Sequence, residues 1–184
     1  MVEAADDLDL AVLLLNSVDL LEDPPDRMAE DLTWWRRALT RNGHEDLAAA
    51  QHDEDLPTLR SLRAMLRTVF ECADDEEARQ MLNIALFHAE AVVQVGPTGL
   101  EVSGGLRGRL LFAVAGHVAE HGVSRLGICA SDPCRCAYVD RTRGGTRRYC
   151  CTLCNDRAAA RAYRRRKAGG EAEAERTSSG ETGS

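Results

Sequence analysis

Six of the seven cysteines lie between Cys129 and Cys154, at spacings that suit a metal ion. Cys129-x4-Cys134 and Cys150-x3-Cys154 are two close pairs separated by fifteen residues, the usual sign of a four-thiolate zinc site. Four sulfurs close the zinc tetrahedron, so the role expected of one such Zn2+ ion is structural. Ligation of this kind contributes on the order of 10 kcal/mol to folding, which a segment poor in apolar residues needs. The residues between Cys129 and Cys134, Ala-Ser-Asp-Pro, form turns readily and can aim both sulfurs at one point. Spacing alone leaves the third ligand open, because Cys151-x2-Cys154 is also a ligand pair. Cys136 and Cys151 otherwise read as small, partly buried residues, or as spare thiols that displace zinc on oxidation. Cys72 falls on a predicted helix as a buried hydrophobe. His117 and His121 are four apart on another, a spacing that can bind metal but better fits a helix C-terminal cation and a surface residue.

Arginines follow the cysteines at once. Asn155 or Asp156 is a good helix N-cap, and the alanines after it favour helix. On that helix Arg157, Arg161, Arg164 and Arg165 share one face. Such a face can lie along phosphates or enter the major groove of double-stranded DNA. Arg141, Arg143, Arg147 and Arg148 precede it in a stretch with Gly144-Gly145 at its middle, read as a loop or hairpin tip. The competing reading is a solvated basic face that pairs with acidic residues elsewhere in the chain. The charge distribution keeps both in view. Residues 1–124 carry 10 basic and 23 acidic residues, a net of -13, whereas 125–168 carry 12 and 3, a net of +9.

The elements that must position these groups read as mainly helical. Leu10, Leu13, Leu14, Val18 and Leu21 keep helical spacing up to Asp23-Pro24-Pro25-Asp26. A second helix is expected from about Pro25 through Met28, Leu32, Trp35 and Leu39 to Asn42-Gly43, and a short one over 45–51. Pro57 suits the first turn of a helix with Leu59, Leu62, Leu66, Val69 and Phe70 on one stripe. Asp74 to Glu77 place negative charge where the next helix starts, and that helix runs to about His88. Residues 91–102, turning at Gly96-Pro97-Thr98-Gly99, read as a β-hairpin that must pack on helices, since a lone hairpin is marginal. Leu106, Leu110, Val114 and Val118 mark a further helix. The Gly/Ser/Glu-rich tail, 169–184, reads as disordered.

Apolar residues make up 44% of the chain and aromatics 4%, enough for a core of Leu, Val and Ala. The acidic start, Met1 to Asp9, is unlike a secretory signal, and the run Leu10 to Leu15 is too short to span a bilayer. The expected compartment is the cytoplasm, where free thiols persist as metal ligands. Neither a nucleophile–base pair nor a phosphate-binding Gly loop stands out, so an enzyme is not expected.

The stretch Cys129-x4-Cys134-x3-Tyr138-Val139-Asp140, then Arg147-Arg148-Tyr149-Cys150-x3-Cys154-Asn155-Asp156-Arg157, resembles the CGNR zinc finger. That finger has an Arg-Arg-aromatic-Cys segment and ends on Cys-Gly-Asn-Arg ahead of a basic helix. The resemblance selects Cys150 as third ligand and sets Arg157 in the place of the final Arg, with Asn155 and Asp156 replacing Gly and Asn. Leu10 to Asp19, an apolar segment followed by Asn16-Ser17, is similar to one in the ABATE domain that accompanies this finger. The resemblance implies a stress-responsive transcription regulator whose DNA binding depends on zinc. The fold expected is mainly α (α+β). A helical body with one hairpin (1–124), which senses a small-molecule effector or forms a homodimer, precedes a treble-clef- or ribbon-like zinc finger ending in a basic helix (125–168). The ligands are then Cys129, Cys134, Cys150 and Cys154, and the DNA contacts Arg147, Arg148, Arg157, Arg161, Arg164 and Arg165. The alternative is a protein-interaction module scaffolded by structural zinc, or a thiol redox sensor. Trp34 and Trp35 are candidates to line a pocket in the body, with core packing the better fit for one of them.

Overall fold

Asp6 starts the body: its carboxylate accepts from the Asp9 N–H at 2.7 Å and caps α1, Asp7–Leu15. Leu10, Ala11, Leu14 and Leu15 on this helix are wholly buried. The helix stops there rather than continuing through Leu21. The Ser17 hydroxyl donates back to the Leu14 carbonyl, Val18 pairs with Asp26 in an isolated β-bridge, and Leu20 and Leu21 are exposed. The computed structural model describes residues 6–96 and 99–178, the stretch 168–178 as helical backbone only.

The second helix also differs from expectation. α2 spans Thr33–Arg41, because the carboxylates of Asp26 and Asp31 hold the N–H groups of Met28 and Thr33 in local turns. Trp35 is wholly buried in the core, and Trp34 packs partly buried against that core beneath the Arg27 guanidinium. α3 (Glu45–Ala49) and a 3-10 turn (Asp53–Asp55) lead to α4 (Leu56–Glu71), with Pro57 in its first turn. Asp74 caps α5 (Asp75–His88) by accepting from the Glu77 N–H at 2.8 Å.

Strands β1 (Val93–Gly96) and β2 (Gly99–Val102) pair antiparallel, Val93 opposite Val102. Residues 97 and 98 of the expected turn lie outside the described residues. The hairpin meets the helix that follows it through β2, but its apolar side chains stay largely exposed. Its base is fastened by the Ser103 hydroxyl, which accepts from the Val92 N–H and donates to the Glu90 carbonyl, while Val95 and Leu100 are 88% and 67% exposed.

α6 (Gly105–His121) is the central helix, packed on α1 and α5 through Leu106, Leu110, Leu111, Val114 and Val118. A 3-10 turn follows, then β3 (Leu126–Ile128), which pairs with β4 (Ala137–Val139). These strands lie against α4 and α1, and Leu126, Ala137 and Val139 join the same buried core as Leu10 and Leu66. The apolar core therefore continues across residue 124, where the sequence suggested a boundary. The last helix, α7, spans Thr152–Ser178. It starts before the expected caps, which puts Asn155 and Asp156 inside it, and it runs into the stretch expected to be disordered. Alanine and glutamate beyond Gly170 are strong enough helix formers to carry it on. Residues 179–184 of that tail lie outside the described residues.

Candidate metal centre and nucleic-acid interface

Cys129 follows β3 directly, Cys134 ends the turn after it, and Cys150 and Cys154 bracket the start of α7. This pairing of a knuckle with a helix start is a treble-clef arrangement. The four sulfurs lie within 4.8 Å of one another. Cys150 Sγ stands 3.7 Å from both Cys134 Sγ and Cys154 Sγ. A tetrahedron with Zn–S bonds of about 2.3 Å has edges of about 3.8 Å, so the spacing is that of a zinc site. All four cysteines are free, three of them almost wholly buried and Cys150 half-buried.

The donor chemistry fits as well. Burial, the largest single effect, raises the Cys129 thiol, but N–H groups of Cys150 and Ser131 outweigh it and hold it below its ordinary value. Burial foremost pushes Cys154 up to about 12 and raises Cys150 too. Capture of a cation by the raised thiols of Cys150 and Cys154 must release their protons. Cys151 is exposed and its sulfur, 3.9 Å from that of Cys150, stands outside the group. Cys136 packs beside the cluster and burial pushes its thiol up to about 12. Cys72 is half-buried against the body's core. His117 and His121 meet edge to face on α6, ring centroids 4.8 Å apart, beside Arg125 and Arg141, and take no part in the thiol group.

Two polar devices hold this knot to the body, and a third folds its basic loop. The Asn16 side-chain amide donates to the Ala137 carbonyl at 3.0 Å, and its oxygen accepts from the Ala137 N–H at 2.7 Å, so the end of α1 pairs with β4 as a strand would. The Arg67 guanidinium donates to the Arg135 carbonyl at 2.6 Å, and Arg135 pairs with Glu71 at 2.7 Å, fixing the knuckle to α4. Asp140 accepts from the Thr142 hydroxyl and from the N–H groups of Thr142 and Arg147, which folds the basic loop. Gly127 lets the Tyr138 ring cross it: a Cβ there would fall 2.5 Å from that ring. Asn16 and Asp140 stand in the segments that carry the family resemblance, which gave them no structural role, and Arg67 and Glu71 have no motif around them.

The arginines divide into two groups. The Arg147 guanidinium donates to the carbonyls of Val139, Tyr149 and Cys150 and lies over the Tyr138 ring. Arg141 pairs with Asp6 and Asp9 at 3.2 and 2.8 Å, and Arg161 donates to the Asp132 carbonyl at 2.5 Å. Arg157 is half-buried, with Nη1 buried and unpartnered among the described residues. In contrast Arg148, Arg164, Arg165 and Arg166 are exposed and make no ion pair among the described residues. A groove of about 720 Å3 runs between the loop and the start of α7, lined by Thr146, Arg148, Tyr149, Thr152 and Asn155 among others.

This combination of a helical body and a thiolate knot joined to a basic helix defines a two-part zinc-finger protein. Residues 125–167 match the CGNR zinc finger, and residues 8–125 match the ABATE domain, described as "Putative stress-induced transcription regulator". The second match covers more than half of the chain, which therefore belongs to the ABATE family. No curated protein matches the chain. No helix among the described residues is long and apolar enough to cross a membrane.

Proposed function

We propose that this protein is a zinc-dependent regulator that binds double-stranded DNA through its last helix. One structural Zn2+ held by Cys129, Cys134, Cys150 and Cys154 would close the knot and fix the start of α7. The observation that carries the reading is the pairing of a zinc-sized thiol tetrahedron with exposed, unpaired arginines on the helix it anchors. Arg148, Arg164 and Arg165, with Arg166, are the phosphate and base contacts. Arg157 and Arg161 line the inner side of the same helix and turn to DNA only if their present surroundings yield. Arg147 acts as a positioning residue that clamps the loop. On this reading residues 1–124 are the regulatory part and 125–168 the DNA-binding part.

If those four exposed arginines each neutralise a phosphate, log Kobs falls against log salt with a slope of about -3.6. Fluorescence-anisotropy titration of the zinc-loaded chain with genomic DNA fragments across a salt series, with sequencing of the bound fraction, tests this. Enriched sequences and a slope of that size support a specific regulator. No binding at low salt overturns the reading in favour of a protein-interaction module. A thiol redox sensor is the second reading. It rests on exposed Cys151, 3.9 Å from Cys150, with its thiol lowered by hydrogen bonds from the backbone, that of Cys154 first. Zinc release by peroxide that Cys151→Ser abolishes would favour it.

A further inference from the structure

The body contains a cavity that its packing leaves open. It lies between α4, α5 and α6 and measures about 660 Å3, within the range (about 300–1,000 Å3) of sites for drug-sized ligands. Leu62, Met65, Met81, Ile84 and Leu111 form apolar walls. The two methionines are unbranched and can adapt to different shapes. Its polar lining is Thr58, Ser61, His88 and Arg107, and no acidic side chain lines the cavity. Arg107 is the feature that selects a ligand. Arg27, Arg36, Arg63, Arg79, Arg109, Arg135, Arg141 and Arg161 all have carboxylate partners. Arg107 is half-buried and has no hydrogen bond or ion pair among the described residues. A guanidinium partly withdrawn from water without a counter-charge is costly, and a planar carboxylate is the group that fits its fork.

We infer that this cavity binds a small apolar monocarboxylate, its carboxylate on Arg107 and its hydrocarbon body against Leu62, Met65, Met81 and Leu111. His88 has a ring N–H to offer the same oxygens. Ile84, 60% exposed at the rim, would be covered by the bound acid. The site also has a physical route to the finger. Leu62 and Met65 lie on α4, and within the next two turns Arg67 and Glu71 of that helix hold Arg135, between Cys134 and Cys136. A ligand that shifts α4 would shift the knuckle. This last step rests on the regulator reading above, whereas binding itself does not.

Calorimetric titration of the full zinc-loaded chain with decanoate and with naphthalene-2-carboxylate tests the proposal, with decan-1-ol as the uncharged control. The expected result is one-to-one binding of at least one acid, tighter than the alcohol. Preference for decanoate points to acyl chains, and preference for the naphthoate to aromatic acids. Arg107→Gln should weaken the acid by about tenfold to a hundredfold, the range of a charge-assisted hydrogen bond, and leave the alcohol unchanged. Ile84→Trp, a change at an exposed position, should block entry and weaken acid and alcohol alike. Failure of both acids to bind at millimolar concentration overturns the proposal. So does equal binding of acid and alcohol that Arg107→Gln leaves unaltered. Absence of DNA binding would leave these titrations as they are, so the two readings fail separately.

Discussion

Replacing Asn16 by alanine should weaken the whole chain, although Asn16 touches neither the thiols nor the arginines. Two hydrogen bonds to Ala137 disappear, at 3.0 and 2.7 Å. Each contributes about 1 kcal/mol net, rising to about 2 kcal/mol where the group left behind is buried and unpartnered. Ala137 is 2% exposed, so water cannot readily replace the lost partner. The expected loss is about 2–4 kcal/mol, a large part of a total near 5–15 kcal/mol. With a urea m-value of about 2–3 kcal/mol/M for a chain of this size, the midpoint should fall by about 1 M. Urea unfolding of the zinc-loaded protein, followed by circular dichroism at 222 nm and by a chromogenic zinc chelator, measures it. The two probes should give coincident transitions in both proteins. A midpoint within about 0.2 M of the parent, or separate transitions for helix and zinc in the parent, would refute the idea that Asn16 joins body and finger into one cooperative unit.

The arginines should separate by role. Arg147→Ala removes a guanidinium from three carbonyls and should cost about 2–3 kcal/mol of stability, whereas the Arg164→Ala/Arg165→Ala pair should leave the melting temperature unchanged and make the DNA salt slope shallower by about 2. Gly127→Ala should destabilise by about 1–3 kcal/mol, read by thermal melting, because its Cβ meets the Tyr138 ring. Asp26 is held below the ordinary carboxylate value, first by the Arg63 side-chain hydrogen bond. A depressed carboxylate contributes stability that is present above its unfolded pKa, near 3.8, and is lost as pH falls through the lower native value. The stability gap between parent and Asp26→Asn should accordingly be widest near pH 6 and close towards pH 3 in urea titrations; a constant gap would contradict this.

Much of this molecule was legible in its sequence, for reasons that differ from part to part. Helices with strong local signals emerged where expected: Pro57 at the start of α4, Asp74 capping α5, and the period of Leu106, Leu110, Val114 and Val118 along α6. The thiol group was legible because ligand spacing is local and zinc chemistry narrow. The misses arose where distant residues decide. α1 ends at Leu15 because Asn16 pairs with a strand 121 residues away, which no periodicity records. α2 starts late because carboxylates of Asp26 and Asp31 compete for backbone N–H groups. Strands β3 and β4, each three residues long, are too short to show alternation. Charge runs gave the sign of the surface but not its internal division: Arg147 and Arg164 look alike in sequence, and only folding reveals which one is occupied by carbonyls.

The shared core beneath β3 and β4 bears on how such a chain can change over generations. The two matched segments meet at residue 125 and look like interchangeable cassettes. Yet Leu126, Ala137 and Val139 fill space bounded by α1 and α4, and Asn16 completes the edge of β4. A finger transplanted from a relative would bring side chains shaped to another body. Accepted substitutions at these positions should therefore covary with α1 and α4 more than with the thiols and arginines of their own segment, and the pair should be inherited together as a single unit of selection.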